Sequence, residues 1–246
     1  FGADKKYGTF PSVGLGWAVS QEKFMKNISW INYLKLRLSW GKNGNRGIDS
    51  YTSLSNMDLT QFVYGDGGSS SIGLYPTSMA NPDLGWETSS SYNLGVDFSV
   101  FNSRISGALD VYTTKTTDLL LKVRIPNMSG YETFLSNIGE TSNKGIEITI
   151  NTENIKTKDF SWNSTLVFSS NFNKILHLTG EDLNGDGKED DDLASKWFIG
   201  YSLGSNYDYV FDGIWQEGDD FSIDKSARPG DIKFKDLSGN GSIGPE

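Results

Sequence analysis

Apolar and polar residues alternate strictly along the stretch from Trp86 to Leu121. Every second residue from Tyr92 to Val100 is apolar, and small or polar residues stand between them. The same pattern resumes at Ile105 after a short polar break. Because successive side chains leave an extended backbone on opposite faces, this period of two predicts β-strands. The break at Asn102-Ser103 predicts a hairpin turn between two antiparallel strands.

The two predicted strands are unusually long. Each runs for about ten residues or more, whereas a strand in a soluble protein typically has about five or six. A length of roughly ten residues suits a tilted strand that crosses a lipid bilayer.

Similar alternation occurs at four other places in the chain. Between Tyr33 and Gly41, for example, apolar residues alternate with Lys35 and Arg37. Cationic side chains destabilise a strand when they face lipid and are well tolerated when they face water. We therefore predict six strands, at about residues 10–19, 33–41, 86–100, 104–118, 144–152 and 160–172.

The predicted connections alternate between short and long. The long ones lack the alternation, and they cover residues 42–85, 122–143 and 174–246. Short and long connections at opposite ends are typical of an outer-membrane barrel, which has short periplasmic turns and long external loops. Tryptophans near strand ends fit an interfacial aromatic girdle in such a barrel and core anchors in a soluble fold. Four occupy such positions: Trp17, Trp40, Trp86 and Trp162.

The composition favours strands and excludes several function classes. Aromatic residues make up 13% of the chain and glycines number 28, which favours strands and turns over a helical bundle. No run approaches about eighteen apolar residues, so no transmembrane helix is predicted. The chain has no cysteine, which excludes disulfides and thiolate chemistry. A net charge of -9 argues against nucleic-acid binding.

Five segments occur in one order along the chain: YGTFPSVGLGWAVSQEKF, LKLRLSWGKNGN, WETSSSYNLGVDFSVFNSRISGALDVYTTKTTDLLL, NIGETSNKGIEI, and WFIGYSLGSNYDYVFDGIWQ followed by PGDIKFKDLSGNGSI. Together they resemble SusC/RagA-like, TonB-dependent outer-membrane transporters. The resemblance implies an all-β chain in which residues 1–246 form a C-terminal portion of a large antiparallel transmembrane β-barrel. Six strands cannot close such a barrel, since single-chain barrels begin at about eight strands. We therefore expect an internal piece of a larger transporter.

The resemblance also implies a function. The family imports glycans, oligosaccharides or peptides across the outer membrane, with a SusD-like surface lipoprotein as the external partner. The TonB complex acts through a plug and a TonB-contacting segment that this chain does not contain, and membrane lipid surrounds the barrel. No enzymatic activity is expected, because His177 is the only histidine and no H-E-x-x-H motif occurs.

The alternative is a soluble or surface-displayed β-sandwich that binds carbohydrate. The two hypotheses differ in what covers the apolar side chains of the long strands, such as Leu94, Val96 and Val111. A barrel would turn them outward with no protein layer above them, whereas a sandwich would cover them with a second sheet.

A loop at residues 182–192 is a candidate calcium site, and no other cofactor is expected. Asp182, Asn184 and Asp186 have the spacing of the first ligands of a calcium loop, and Gly187 follows where a sharp turn is needed. The twelfth position is Leu193 rather than glutamate, and the aspartates 190–192, Asp190 first, could serve as substitute ligands in a different geometry. The alternative is a solvated acidic loop. Residues 236–241 repeat the spacing with weaker ligands.

The segment from residue 197 to residue 215 is rich in aromatic residues. Aromatic rings stack on sugar rings, so the segment is a candidate substrate-binding region. The alternative is that the rings pack a folded external loop. The candidate side chains are Trp197, Tyr201, Tyr207, Tyr209 and Trp215.

Overall fold

The computed structural model describes residues 2, 4–65, 67–125, 127–131, 133–237 and 239–243. The chain divides into two compact units, Phe1–Leu203 and Gly204–Glu246. The helices in the described residues are three short 3-10 turns, at Val19–Gln21, Lys23–Met25 and Asn127–Ser129. Within this part of the chain, no helix has the length and apolar character needed to span a membrane.

The described residues form ten strands. In chain order they are β1 (Ser12–Trp17), β2 (Ile31–Asn45), β3 (Met57–Tyr64), β4 (Ser69–Pro76), β5 (Glu87–Val100), β6 (Ile105–Arg124), β7 (Thr133–Lys156), β8 (Ser161–His177), β9 (Phe211–Ile214) and β10 (Ile232–Phe234). Six of them form one antiparallel sheet in the order β1-β2-β5-β6-β7-β8. The other four form two separate hairpins, β3 with β4 and β9 with β10.

The six strands of the sheet overlap the six predicted strands. Because sheet neighbours are antiparallel, the connections β1–β2, β5–β6 and β7–β8 all lie at one end of the sheet. The connections β2–β5 and β6–β7 lie at the other end. The β5–β6 hairpin turn occupies residues 101–104, around the predicted Asn102-Ser103, and Phe101, Asn102 and Ser103 all have positive φ, at 54°, 56° and 64°.

The bounds of the three predicted long loops are wrong, because each loop contains strand residues. Residues 122–143 are mostly strand rather than loop, because β6 continues to Arg124 and β7 already begins at Thr133. The predicted loop 42–85 contains the last residues of β2 and the whole β3–β4 hairpin. The predicted loop 174–246 begins inside β8, which ends at His177, and also contains β9 and β10.

The register of the sheet brings the apolar side chains onto one face. Leu36, Val96, Leu109, Ile148 and Phe168 are successive cross-strand partners, so one row of apolar side chains crosses five strands. Parallel rows above and below repeat the pattern. We call this set the apolar belt: Val13, Leu15, Trp17, Leu34, Leu36, Leu38, Trp40, Tyr92, Leu94, Val96, Phe98, Val100, Ile105, Leu109, Val111, Ile146, Ile148, Ile150, Leu166, Phe168 and Phe172.

No protein layer covers the apolar belt within the described residues. Leu15 is 67% exposed, Leu94 is 54% exposed and Val111 is 47% exposed. The buried apolar side chains of the described residues are few, and none belongs to the belt: Val19, Leu84, Ile175, Leu178 and Trp215. A β-sandwich would bury its apolar faces between two sheets, so the sandwich alternative is wrong.

Candidate functional site

The face of the sheet opposite the apolar belt is lined by charged, amide and hydroxyl side chains, and we call it the polar face. The same register that aligns the leucines aligns these residues, because each lies one position along its strand from a belt residue. Its charged and amide members near the middle of the sheet are Lys35, Arg37, Asn93, Asp97, Asp110 and Glu147.

An arginine links three strands at the centre of the polar face. Arg37 on β2 donates two hydrogen bonds to the carboxylate of Asp97 on β5, both at 2.9 Å. Its Nη2 also donates to Asp110 Oδ2 on β6 at 2.9 Å, and Asn93 Nδ2 donates to Asp110 Oδ1 at 3.0 Å. Charge-assisted bonds of this geometry fix the three charged side chains. The network therefore forms a rigid polar patch at the centre of the polar face.

Gly95 makes room for this network. It is the cross-strand partner of both Arg37 and Asp110, so it lies directly beneath their contact. A Cβ at Gly95 would lie 2.6 Å from Arg37 Cζ and 2.6 Å from Asp110 Oδ1.

Paired hydroxyls continue the polar face toward the end of the sheet with the long connections. Ser89 and Thr116 share a hydrogen bond of 2.8 Å, and Ser91 and Thr114 share one of 2.9 Å. Hydroxyls both donate and accept hydrogen bonds. This stretch of the polar face can therefore form hydrogen bonds with water or with a polar solute.

A mostly apolar cavity of about 190 Å³ lies at the same end of the sheet. Leucines 119–121 of β6 and Ile175 of β8 contribute to its walls, and Trp197 and His177 also line it. Apolar walls with a few polar groups are typical of cavities that bind small molecules. The structure thus brings the predicted Trp197 together with His177, which the sequence did not single out as a binding residue.

Glu189 organises the chain that follows β8. Its Oε1 accepts hydrogen bonds from the backbone N–H groups of Leu178, at 2.7 Å, and Gly180, at 2.8 Å. Its Oε2 lies 2.5 Å from His177 Nδ1. The contact joins residues 12 positions apart across an irregular loop. No residue spacing in the sequence indicates this contact, and only the uniqueness of the histidine draws attention to it.

The predicted calcium ligands are turned onto the backbone of their own loop. Asp182 accepts hydrogen bonds from the N–H groups of Gly185 and Gly187, and Asn184 Oδ1 accepts one from Asp186. Asp186 Oδ1 accepts from Lys188, and Asp190 Oδ2 accepts from Leu183. In the described part of the chain, no three acidic, histidine or cysteine side chains are grouped to hold a metal. Calcium binding by residues 182–192 stays a prediction.

A second cavity of about 330 Å³ carries both signs of charge. Lys122 and Arg124, at the end of β6, line one part of it. Glu181 and the aspartates 190–192 supply the acidic groups. Such a cavity offers ion-pair partners to a ligand that has both an amine and a carboxylate.

The remaining predicted aromatic residues differ in exposure. Tyr201 is 65% exposed and contacts Phe198 edge-on at 6.4 Å. In the second unit, Tyr209 is 47% exposed and packs on Phe234 at 5.0 Å, while Tyr207 is half-buried.

Trp215 is enclosed by other residues of the second unit. It is only 2% exposed, stacks on Phe221 at 4.8 Å and lies under Lys233 Nζ at 4.5 Å. Its role in substrate binding stays a prediction.

Comparison with known proteins gives one consistent result. Residues 1–244 match the family model described as TonB dependent receptor-like, beta-barrel. The chain is 37% identical over 251 residues to TonB-dependent receptor P3 of Formosa agariphila, covering 99% of this chain and 25% of that protein. It is 35% identical over 260 residues to TonB-dependent receptor SusC of Bacteroides thetaiotaomicron, covering 99% of this chain and 24% of that protein.

Solved structures agree with the sequence relatives. The RagAB peptide transporter superposes with a TM-score of 0.73 at 28% identity, over 87% of this chain and 23% of that chain. Its closed-closed state, described as a peptide importer, superposes with a TM-score of 0.72 over 96% of this chain and 25% of that chain. The chain spans about a quarter of the length of the curated relatives P3 and SusC.

Proposed function

The chain belongs to the TonB-dependent receptor-like β-barrel family, and from that membership we propose that it forms part of the wall of an outer-membrane nutrient importer. One observation carries this proposal, namely the exposed apolar belt on one face of a single sheet whose other face is polar. Hydrocarbon is the surrounding that stabilises such a belt, and a water-filled passage is the surrounding that suits the polar face.

The dimensions of the belt fit a bilayer. On β5 the belt runs over nine residues from Tyr92 to Val100, and a tilted strand needs about 9–11 residues to cross the hydrocarbon. The end with the short β5–β6 and β7–β8 turns faces the periplasm in this proposal. The end with the longer β2–β5 connection and residues 178–203 faces the outside.

The transport cycle involves partners beyond this chain. A SusD-like surface lipoprotein captures the ligand at the external end, and the TonB complex draws on the inner membrane to open a plug. This segment contributes the lipid-facing belt, the polar wall of the passage and the external cavities. It carries out no bond chemistry.

Oligosaccharides are the substrate class that we infer first. Trp197 lines the apolar cavity near the external end, and Tyr201 is exposed in the same unit. Aromatic rings bind the apolar faces of sugars, while hydroxyl-lined walls such as the Ser91–Thr114 pair exchange hydrogen bonds with sugar hydroxyls.

Peptides are the second candidate, and a separate observation favours them. The cavity that contains Lys122, Arg124 and the aspartates 190–192 offers both charges to a zwitterionic chain. The structurally similar RagAB is a peptide transporter.

Uptake by cells that produce the full-length protein tests these proposals. Import of a labelled oligosaccharide should require TonB and should fall about tenfold with Trp197→Ala, a loss typical of one well-packed binding contact. The matched control is Tyr7→Ala, which removes an aromatic ring that is 94% exposed. Import of labelled peptides that falls with Lys122→Gln and Arg124→Gln, but not with Trp197→Ala, would support the second candidate instead. TonB-independent uptake, or no uptake of either class, would contradict the assignment.

A further inference from the structure

A row of lysines crosses the belt face of the sheet just beyond the apolar belt. Lys42 on β2 is the cross-strand partner of Ser90, and Ser90 is the partner of Lys115 on β6. Lys115 is in turn the partner of Ser142, and Ser142 is the partner of Lys174 on β8. Strands lie about 4.8 Å apart, so consecutive lysines of this row are separated by about 10 Å at the backbone.

A fourth lysine lies in the neighbouring row, one step nearer the belt. Lys144 on β7 is flanked by Thr113 and Phe172 in a row that also contains Trp40 and Tyr92. All four lysine side chains are exposed. We call the four the lysine row: Lys42, Lys115, Lys144 and Lys174.

The charge of this region is opposite to that of the chain as a whole. The sequence carries 31 acidic residues against 22 lysines and arginines, yet the two rows contain four lysines and no acidic residue. Among the described residues, Glu140 is the acidic group that contacts the lysine row, through an ion pair with Lys115. Within that part of the chain, the other three lysines therefore remain for an external anion.

The position of the lysine row relative to the apolar belt indicates which anion it binds. Tyr92 and Trp40 contact each other at 6.4 Å in the last row of the belt, and aromatic side chains of this kind mark the level where hydrocarbon gives way to headgroups. Lysine side chains one row further reach the headgroup layer with their stems still on apolar surface. The row also lies at the end of the sheet with the long connections.

We propose that the lysine row binds the phosphate groups of lipid A in the outer leaflet. The inference rests on the proposed position of the sheet in the outer membrane, with its long connections outside. Each lysine acts as a point charge toward phosphate, and several basic groups at one level give an attraction that falls with salt.

Lipid binding by the purified full-length protein in detergent tests the proposal. The probes are fluorescently labelled bis-phosphorylated lipid A, its dephosphorylated form, and phosphatidylglycerol. The variant replaces all four lysines by glutamine (Lys42→Gln, Lys115→Gln, Lys144→Gln and Lys174→Gln). A matched control removes the same charge from exposed lysines outside the row (Lys23→Gln, Lys26→Gln, Lys158→Gln and Lys188→Gln).

We expect bis-phosphorylated lipid A to bind the row variant about tenfold more weakly or worse, in line with the effect of several basic residues near an anionic surface. The control variant and dephosphorylated lipid A should show no such dependence on the row. A fourfold lysine-to-arginine variant should keep the binding, which excludes misfolding as the cause of the loss.

Equal weakening in the row variant and the control variant would overturn the proposal, because it would reveal a general charge effect. Preference for phosphatidylglycerol over lipid A, or unchanged binding in the row variant, would also overturn it. The proposed function is tested by a different experiment. It would be contradicted if the unmodified protein supported no TonB-dependent uptake.

Discussion

At the scale of single residues, one glycine decides whether the polar face can hold its central ion-pair network. Arg37 and Asp110 belong to strands two apart in the sheet, with β5 between them. Their side chains meet above Gly95 because it has no Cβ, and any other residue there would occupy the space of the contact.

Gly95→Ala should therefore destabilise the folded sheet. The new methyl group displaces the Arg37 guanidinium, so Asp97 and Asp110 lose their hydrogen bonds to it. Because unpaired, partly buried charged groups are unfavourable, we expect the free energy of unfolding to fall by about 1–3 kcal/mol. Urea unfolding of the full-length protein in lipid vesicles measures the change. The matched control is Gly14→Ala on the same face, where a Cβ would meet nothing within 4 Å. Equal effects of the two substitutions would contradict the account.

A second residue-scale prediction concerns Glu189. Glu189→Ala removes the acceptor for the N–H groups of Leu178 and Gly180 as well as the partner of His177. Hydrogen exchange of the Leu178 and Gly180 amides should accelerate by about tenfold, the equivalent of one lost hydrogen bond.

The control for this loop is Glu181→Ala, which changes a neighbouring acidic side chain that lines the charged cavity. It should leave exchange at the two amides unchanged. If the Leu178 and Gly180 amides stayed fully protected from exchange in the Glu189 variant, the prediction would be contradicted, because the backbone alone would then order the segment.

At the scale of elements, strict alternation predicts where each of the six strands of the sheet lies, but not how far each one extends. It predicts β5 and the first half of β6 well because one face there is uniformly apolar. It does not predict the first part of β7, since residues 133–143 carry apolar side chains without a period of two. The register shifts between Thr116 and Leu120, where Asp118 has a φ of 60°. Bulges of this kind break the sequence pattern while the pairing continues.

The β3–β4 hairpin was missed for a different physical reason. Its strands are exposed on both sides, with Leu59 at 64% on one face and Tyr75 at 43% on the other. No buried face imposes an alternation on the sequence, so β4 is a Ser- and Gly-rich stretch indistinguishable from loop. The same limit applies to the candidate site, because the contacts of Arg37 and Glu189 depend on register and loop path rather than on spacing.

Two neighbouring positions on β6 test which face meets lipid. Leu109→Arg puts a charge in the middle row of the apolar belt, and the expected cost is about 2–4 kcal/mol near the bilayer midplane. Ala108→Arg puts the same side chain on the polar face opposite Asp97, where it finds water and a carboxylate. Urea titration of both variants in vesicles should give a large loss of stability only for Leu109→Arg. A similar loss for both would contradict the assignment of the faces.

At the scale of the whole molecule, the part of the chain that the structure describes has little buried core of its own. Its sheet exposes apolar side chains on one face and a hydrogen-bonded polar network on the other. In water such a sheet would leave a large apolar surface uncovered, which soluble monomers avoid. In the proposed setting, lipid takes the place of a second protein layer over the apolar belt.

The most direct test is a nitroxide scan along β5 in the full-length protein reconstituted in lipid. The chain has no cysteine, so single cysteines from Tyr92 to Val100 can be labelled after any cysteines elsewhere are replaced. We expect accessibility to lipid-soluble oxygen to peak at the even positions, and accessibility to a water-soluble nickel chelate to peak at the odd ones. If the even positions were shielded from both reagents, a protein layer would cover the belt and the account would be wrong.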